Sequence, residues 1–250
     1  MQRRPGQSMP ILFERPTYEW VARVNQKHKQ LDELRLSAEQ TQKLDRWIKI
    51  EFVYATLRLE GLDIPRDLVA RIASSQGGDG DSTEAESANA LFQSLRALTL
   101  IARERGNDAA LSAELLLRLN DPTSAQGVRD GHSVPEMTGE HSRLILDSAC
   151  QWFEADSFQE LHPIEQASIV FLRLIDLRPF IDRTERTAVL AASLFTLRSG
   201  LPPIIIDPKT QPAYRAALAE GLQMNTKRMV EFIAESVERK LEELILRANG

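Results

Sequence analysis

The chain has 250 residues, 42% of them hydrophobic and 27% charged, which is enough to bury roughly three quarters of its unfolded surface on folding. Its formal net charge of -5 at pH 7 argues against nucleic acid as a partner, because phosphate backbones are bound by clustered excess lysine and arginine. Cys150 is the only cysteine and no apolar run approaches the roughly 18 residues of a membrane-spanning helix, so we expect a globular, cytoplasmic protein without disulfides or a membrane partner.

Most of the sequence has apolar residues at helical spacing, and it contains neither a long alternating strand nor an internal repeat. The predicted fold class is therefore mainly α. Residues 1–15 are predicted to be a disordered start without a secretory signal. The predicted helices cover residues 20–31, 37–61, a short stretch after 65, 82–105, 112–120, 141–155, 161–178, 182–199, 210–224 and 226–248.

Two segments have the composition of loops. Residues 76–82 are rich in glycine and aspartate and predict a flexible acidic loop. Residues 123–140 contain glycines and a proline among polar residues, which indicates a loop or a β-hairpin with Val128 and Val134 as the best strand positions. Any β structure is expected in this second segment.

Two long apolar helices are predicted to meet at residues 178–186. Pro179 is expected to end the first helix and Asp182 to cap the second, and the four residues from Asp182 also fit a capping box. The first amides of the second helix then face the connection without intrahelical partners. Such amides favour an anion, so the connection is a candidate phosphate site as well as an ordinary helix stop.

The connection resembles the active-site motif of the Fic (fido) family, His-Pro-Phe-x-(Asp/Glu)-Gly-Asn-Gly-Arg-x-x-Arg. The sequence agrees with the motif and the residues after it at Pro179, Phe180, Asp182, Arg186, Thr187 and Ala188. It differs at Arg178 in place of His, at Arg183, Thr184 and Glu185 in place of Gly-Asn-Gly, and at Val189 in place of the last Arg. The resemblance therefore implies a degenerate copy of the motif.

Other segments resemble the same family, from about residue 45 to 240. Residues 200–204, and Tyr214 with Ala217 and Leu218, look like its downstream segments. The stretch Gly127, Val128, Arg129 to Val134 resembles its substrate-aligning flap hairpin, and Thr56, Glu60 and Gly61 match its inhibitory helix pattern (Ser/Thr)-x-x-x-Glu-(Gly/Asn). The implied organisation is a helical region at residues 16–110 that contains the inhibitory segment, followed by a Fic-like core at 111–250.

The resemblance implies transfer of AMP from ATP to a hydroxyl of a target protein, with the motif histidine as the base. Arg178 is not expected to act as that base, because a guanidinium with a pKa above about 12 does not accept a proton near neutral pH. Asp182 would hold Mg²⁺, and Arg186, Thr184 and Arg183 would contact nucleotide phosphates. We therefore expect an impaired Fic protein that binds a nucleotide, another phosphate group or a partner protein.

Two alternatives remain open. The chain is either an active transferase of AMP or another phosphate-containing group that uses an unidentified base, or a structural or regulatory helical module. In the second alternative, salt bridges of Arg178, Glu185 and Glu60 close the pocket. The sequence does not identify the target or partner protein. It also does not decide whether the chain forms a homo-oligomer.

We also expect Glu60 to form an ion pair. In the family pattern this glutamate pairs with the last motif arginine, which is Val189 here. A buried, unpaired carboxylate is costly, so Glu60 must find another cation if its helix docks beside the motif. Arg186 and Arg178 are the first candidates and Arg183 the third. If the helix does not dock there, residues 56–61 are a plain helix end with Gly61 as the cap.

Overall fold

The computed structural model describes residues 18–74, 83–120, 140–180 and 182–249, and most of these residues are helical. The helices are α1 (Glu19–Glu33), α2 (Ala38–Leu59), α3 (Arg66–Ile72), α4 (Thr83–Arg105), α5 (Ala113–Asn120), α6 (Glu140–Phe153), α7 (Asp156–Gln159), α8 (Pro163–Leu177), α9 (Thr184–Leu197), α10 (Gln211–Leu222) and α11 (Lys227–Asn249). These ranges contain no strand, and the mainly α prediction is confirmed. The predicted hairpin, the acidic loop at 76–82 and the predicted disordered start lie outside the described residues.

Helix α2 is fixed at both ends by the residues that the sequence singles out. The Oγ of Ser37 accepts the Gln40 N–H at 3.2 Å, and the Gln40 side chain accepts the Ser37 N–H at 2.9 Å, which completes a capping box. At the other end Gly61 has a φ of 85°, and the Leu62 N–H donates to the Leu57 carbonyl at 3.0 Å. This left-handed glycine ends α2, and Glu60, directly after Leu59, is the C-cap residue.

Helix α9 forms the centre of the fold, because every residue from Arg186 to Thr196 is buried. It packs most extensively against α8, which turns into it through a short connection, and also contacts α4, α5 and α2. Three of its residues are alanines, which permit close approach of the surrounding helices. A helix apolar on all sides is expected only in such a position. The prediction that these two helices pack as a central pair is confirmed.

The remaining helices form the outer layer. Helix α11 packs against α1, α10 and α8, and the ion pairs Arg23–Glu238 and Lys27–Glu242 link α1 to α11 at 2.9 and 2.6 Å. These pairs are partly exposed, so they contribute less than the apolar contacts beneath them. Within the described ranges, no helix combines the length and apolarity needed to cross a membrane.

The connection between α8 and α9 is built differently from the sequence-based prediction. Helix α8 ends at Leu177 and is followed by Arg178 in the left-handed conformation, with φ 44° and ψ 54°. The N-cap position of α9 is Arg183, also left-handed with φ 57°, and its side chain makes no capping hydrogen bond. The predicted N-cap role of Asp182, and with it the capping box, is wrong because Asp182 precedes that position by one residue.

The left-handed backbone at Arg178 generates a stability prediction. A residue with a Cβ is strained there, so Arg178→Gly should raise the free energy of unfolding by about 0.5–1 kcal/mol. Arg173→Gly, in the exposed middle of α8, should lower it by about 1 kcal/mol. Urea denaturation of the two variants checks both values. Destabilisation by Arg178→Gly would mean that contacts of the arginine side chain outweigh the backbone strain.

Candidate functional site

A cleft of about 500 Å³ lies where the end of α2, the start of α4 and the start of α9 come together. We call it the α9 cleft. It is lined by Glu60, Leu62, Ser87, Asp182, Arg183, Thr184, Glu185 and Arg186. Five of the predicted site residues, Glu60, Asp182, Arg183, Thr184 and Arg186, therefore meet in one place.

The centre of the cleft is an ion pair between Arg186 and Glu60. The Nε of Arg186 donates to Glu60 Oε1 at 2.8 Å, and its Nη2 donates to Oε2, so the contact is bidentate. The side chains are 4% and 14% exposed, respectively. The expected cation for Glu60 is thus present, and it is Arg186 rather than Arg178 or Arg183.

Both partners of this ion pair occupy unfavourable ends of their own helices. Glu60 follows the last turn of α2, where the helix dipole is negative, and Arg186 lies in the first turn of α9, where it is positive. Neither position stabilises its charge by itself. The two side chains neutralise each other, and burial of α2 residues such as Phe52 and Leu57 holds them together.

Two other residues of the predicted inhibitory segment do not line the cleft. Thr56 is buried and its hydroxyl donates to the Phe52 carbonyl within α2 at 2.8 Å. Gly61 is exposed and forms the turn. The predicted flap residues Gly127, Val128, Arg129 and Val134 lie outside the described residues.

Asn120 at the end of α5 holds the connection in place. Its Nδ2 donates to the backbone carbonyl of Asp182 and to the Oγ1 of Thr187, both at 3.1 Å. Thr187 in turn donates to the Arg183 carbonyl at 3.0 Å. The sequence around Asn120 predicts only a helix end, and nothing in the local pattern indicates a contact so far along the chain.

The two other arginines of the connection have exposed side chains. Arg183 lines the cleft, and its Nε lies 4.0 Å from the carboxylate of Asp182. Arg178, at the position that corresponds to the family histidine, is exposed and is not among the residues that line the cleft. The residue expected at the reacting position is therefore outside the cleft.

Glu185 makes a contact that the sequence did not indicate. Tyr214 of α10 is completely buried, and its hydroxyl donates to Glu185 Oε1 at 3.0 Å. Burial, followed by the negative charge of Glu185, raises the pKa of Tyr214. Tyr214 therefore remains a neutral donor, and one carboxylate oxygen of Glu185 is directed towards the core.

The cleft offers an anion several donors but offers a metal ion few ligands. The amides in the first turn of α9 have no side-chain cap and are not used by the helix itself. Asp182 has a carboxylate that is 73% exposed, yet the described ranges hold no group of three acidic, histidine or cysteine side chains suited to a metal. Mg²⁺ would need most of its oxygen ligands from phosphate and water.

Comparisons of the sequence find relatives named Fic adenylyltransferases. No family model matches the chain. A Drosophila grimshawi protein named protein adenylyltransferase Fic is 29% identical over 112 residues, 45% of this chain and 23% of the relative. A Caenorhabditis elegans protein named protein adenylyltransferase fic-1 is 32% identical over 111 residues, 44% of this chain and 21% of the relative. The match thus spans less than a quarter of each relative.

Solved structures share the fold. A Fic domain containing signaling protein from Bacteroides thetaiotaomicron has a TM-score of 0.74 and 19% identity, over 91% of this chain and 98% of that one. A fragment of C. elegans Fic-1 has a TM-score of 0.76 and 22% identity, over 91% of this chain and 71% of that one. The chain therefore has the fold of these Fic-domain structures and is similar in sequence to proteins named Fic adenylyltransferases.

Proposed function

We propose that this chain is a Fic-domain protein that binds a phosphate-bearing ligand in the α9 cleft, with ATP as the leading candidate, and that it is impaired in transferring AMP. The observation that carries the proposal is Arg186, a buried arginine beside the uncapped first turn of α9. A guanidinium next to free helix amides is the combination that binds phosphate oxygens.

Glu60 makes this binding conditional. Its carboxylate already occupies two donors of Arg186, so a phosphate group must displace Glu60 before it contacts the same guanidinium. The resting protein is therefore closed to anions at this arginine. A partner that moves the end of α2 would open the cleft, which is how a binding protein with weak or absent catalysis would be regulated.

The proposed impairment follows from the chemistry of AMP transfer. The target hydroxyl must lose a proton as its oxygen bonds to the α-phosphorus and pyrophosphate leaves. Arg178 does not accept that proton, and none of the described residues that line the cleft is a histidine. Arg183 and Glu185 also place side chains where the family motif has two glycines, which hinders close approach of the backbone to phosphate.

Two alternatives each have an observation in their favour. Asp182 and Arg186 keep the family's residue types at the cleft, as an active transferase with another base would require. Bound Mg²⁺ would neutralise phosphate charge, with Asp182 as its protein ligand. The Glu60–Arg186 pair by itself favours a closed structural or regulatory module. Transfer and binding measurements separate the three.

The first functional prediction concerns transfer. Purified protein with labelled ATP and Mg²⁺ or Mn²⁺ should modify neither itself nor added proteins, and Arg178→His alone should not restore transfer because Arg183, Thr184 and Glu185 still crowd the phosphate loop. Gel-based detection of the label checks both. Transfer by the unmodified protein that disappears with Asp182→Ala would contradict the proposed impairment and favour the active transferase.

The second functional prediction concerns Glu60. Glu60→Gln should tighten binding of ATP with Mg²⁺ by about tenfold or more, since Arg186 no longer faces a carboxylate. The free energy of unfolding should fall by about 2–4 kcal/mol, because one charge of a buried pair is left without its partner. Calorimetric titration and urea denaturation measure the two effects.

Asp63→Asn is the matched control, because Asp63 pairs with Arg58 beside the same turn and its side chain is 96% exposed. It should change neither binding nor stability. Equal ATP affinity in the unmodified protein and Glu60→Gln would show that the pair does not restrict the cleft. An absence of binding in both would favour the structural module.

A further inference from the structure

Glu185 is an unexpected residue for an anion site. It lies in the first turn of α9, immediately before Arg186, and lines the cleft. A carboxylate that faced the cleft there would repel the phosphate group that Arg186 and the helix amides attract. The usefulness of the cleft as an anion site therefore depends on where this carboxylate is held.

Tyr214 holds the Glu185 carboxylate away from the cleft. The ring is completely buried between Phe171 and Phe232, with centroid distances of 6.0 and 5.9 Å. Packed aromatic rings of this kind have little rotational freedom. The hydroxyl consequently stays at one point, 3.0 Å from Glu185 Oε1, and donates to it.

We propose that Tyr214 is a positioning residue that keeps the Glu185 carboxylate on the core side of α9 and thereby allows an anion to occupy the cleft. This role rests on the proposed function, because it sets the affinity of the same site. The buried hydroxyl supplies the hydrogen bond that a carboxylate needs on leaving water. The positive end of the α9 dipole also stabilises the Glu185 carboxylate, and it does so while the carboxylate faces the core.

Loss of the Tyr214 hydroxyl would change the orientation of the Glu185 carboxylate. In Tyr214→Phe the ring packing is kept, but Glu185 would face an apolar ring without a donor. An ionised carboxylate then turns towards solvent, and the α9 cleft is the solvent-accessible space that Glu185 lines. Tyr214 thus affects anion binding through Glu185 rather than by touching the anion.

The test uses Glu60→Gln as the starting protein and inorganic pyrophosphate as the calorimetric ligand. Adding Tyr214→Phe should weaken pyrophosphate binding by roughly three- to tenfold, the repulsion expected from one partly solvated charge nearby. Adding Glu185→Gln as well should restore the affinity, because a neutral side chain no longer repels the ligand. A merely structural role of the hydroxyl would not give this rescue.

Tyr54→Phe serves as the matched control, since Tyr54 is a partly buried tyrosine of α2 that does not line the cleft, and it should leave the affinity unchanged. Unchanged affinity in Tyr214→Phe, or weakening that Glu185→Gln does not reverse, would overturn the positioning role alone. Failure of Glu60→Gln to bind pyrophosphate at all would overturn the proposed function and this role with it.

Discussion

The Glu60–Arg186 ion pair is the interaction on which the state of the α9 cleft depends. It joins residues 126 positions apart and connects the end of α2 to the first turn of the central helix. Each charge lies at the wrong end of its own helix dipole, so each is stabilised chiefly by the other. Removing either residue leaves the other charge largely buried and without a partner. The same contact therefore closes the cleft and stabilises the fold.

The backbone around this pair is set by few interactions. Left-handed arginines stand at both ends of the α8–α9 connection. From the end of α5, the Asn120 side chain donates to the Asp182 carbonyl and to the Thr187 hydroxyl. The N-cap residue of α9 is Arg183, whose side chain has no acceptor, so the helix begins without a side-chain cap. Tyr214 acts on the opposite side, where it engages the one carboxylate that belongs to this turn.

The sequence was sufficient for the helices and for part of the site. Helical spacing predicts the long helices but not the four-residue α7, and Ser37 and Gly61 predict the ends of α2 because their roles are local. The resemblance and the cost of an unpaired buried carboxylate predict that Glu60 pairs with an arginine, but they leave three candidates, of which the structure selects Arg186. Asp182 was wrongly placed as a cap because left-handed residues moved the helix start by one position. The contacts of Asn120 and Tyr214 are not predicted, since their partners are distant in sequence and many polar residues can donate.

Whether an anion replaces Glu60 at Arg186 is the central question, and the Nε–H resonance of Arg186 answers it most directly. Pyrophosphate would be titrated into ¹⁵N-labelled wild-type protein. If pyrophosphate displaces Glu60, this resonance should move, at high ligand concentration, to the position it has in ligand-bound Glu60→Gln. Saturating pyrophosphate binding that leaves the Arg186 resonance unchanged would place the anion elsewhere and contradict the account.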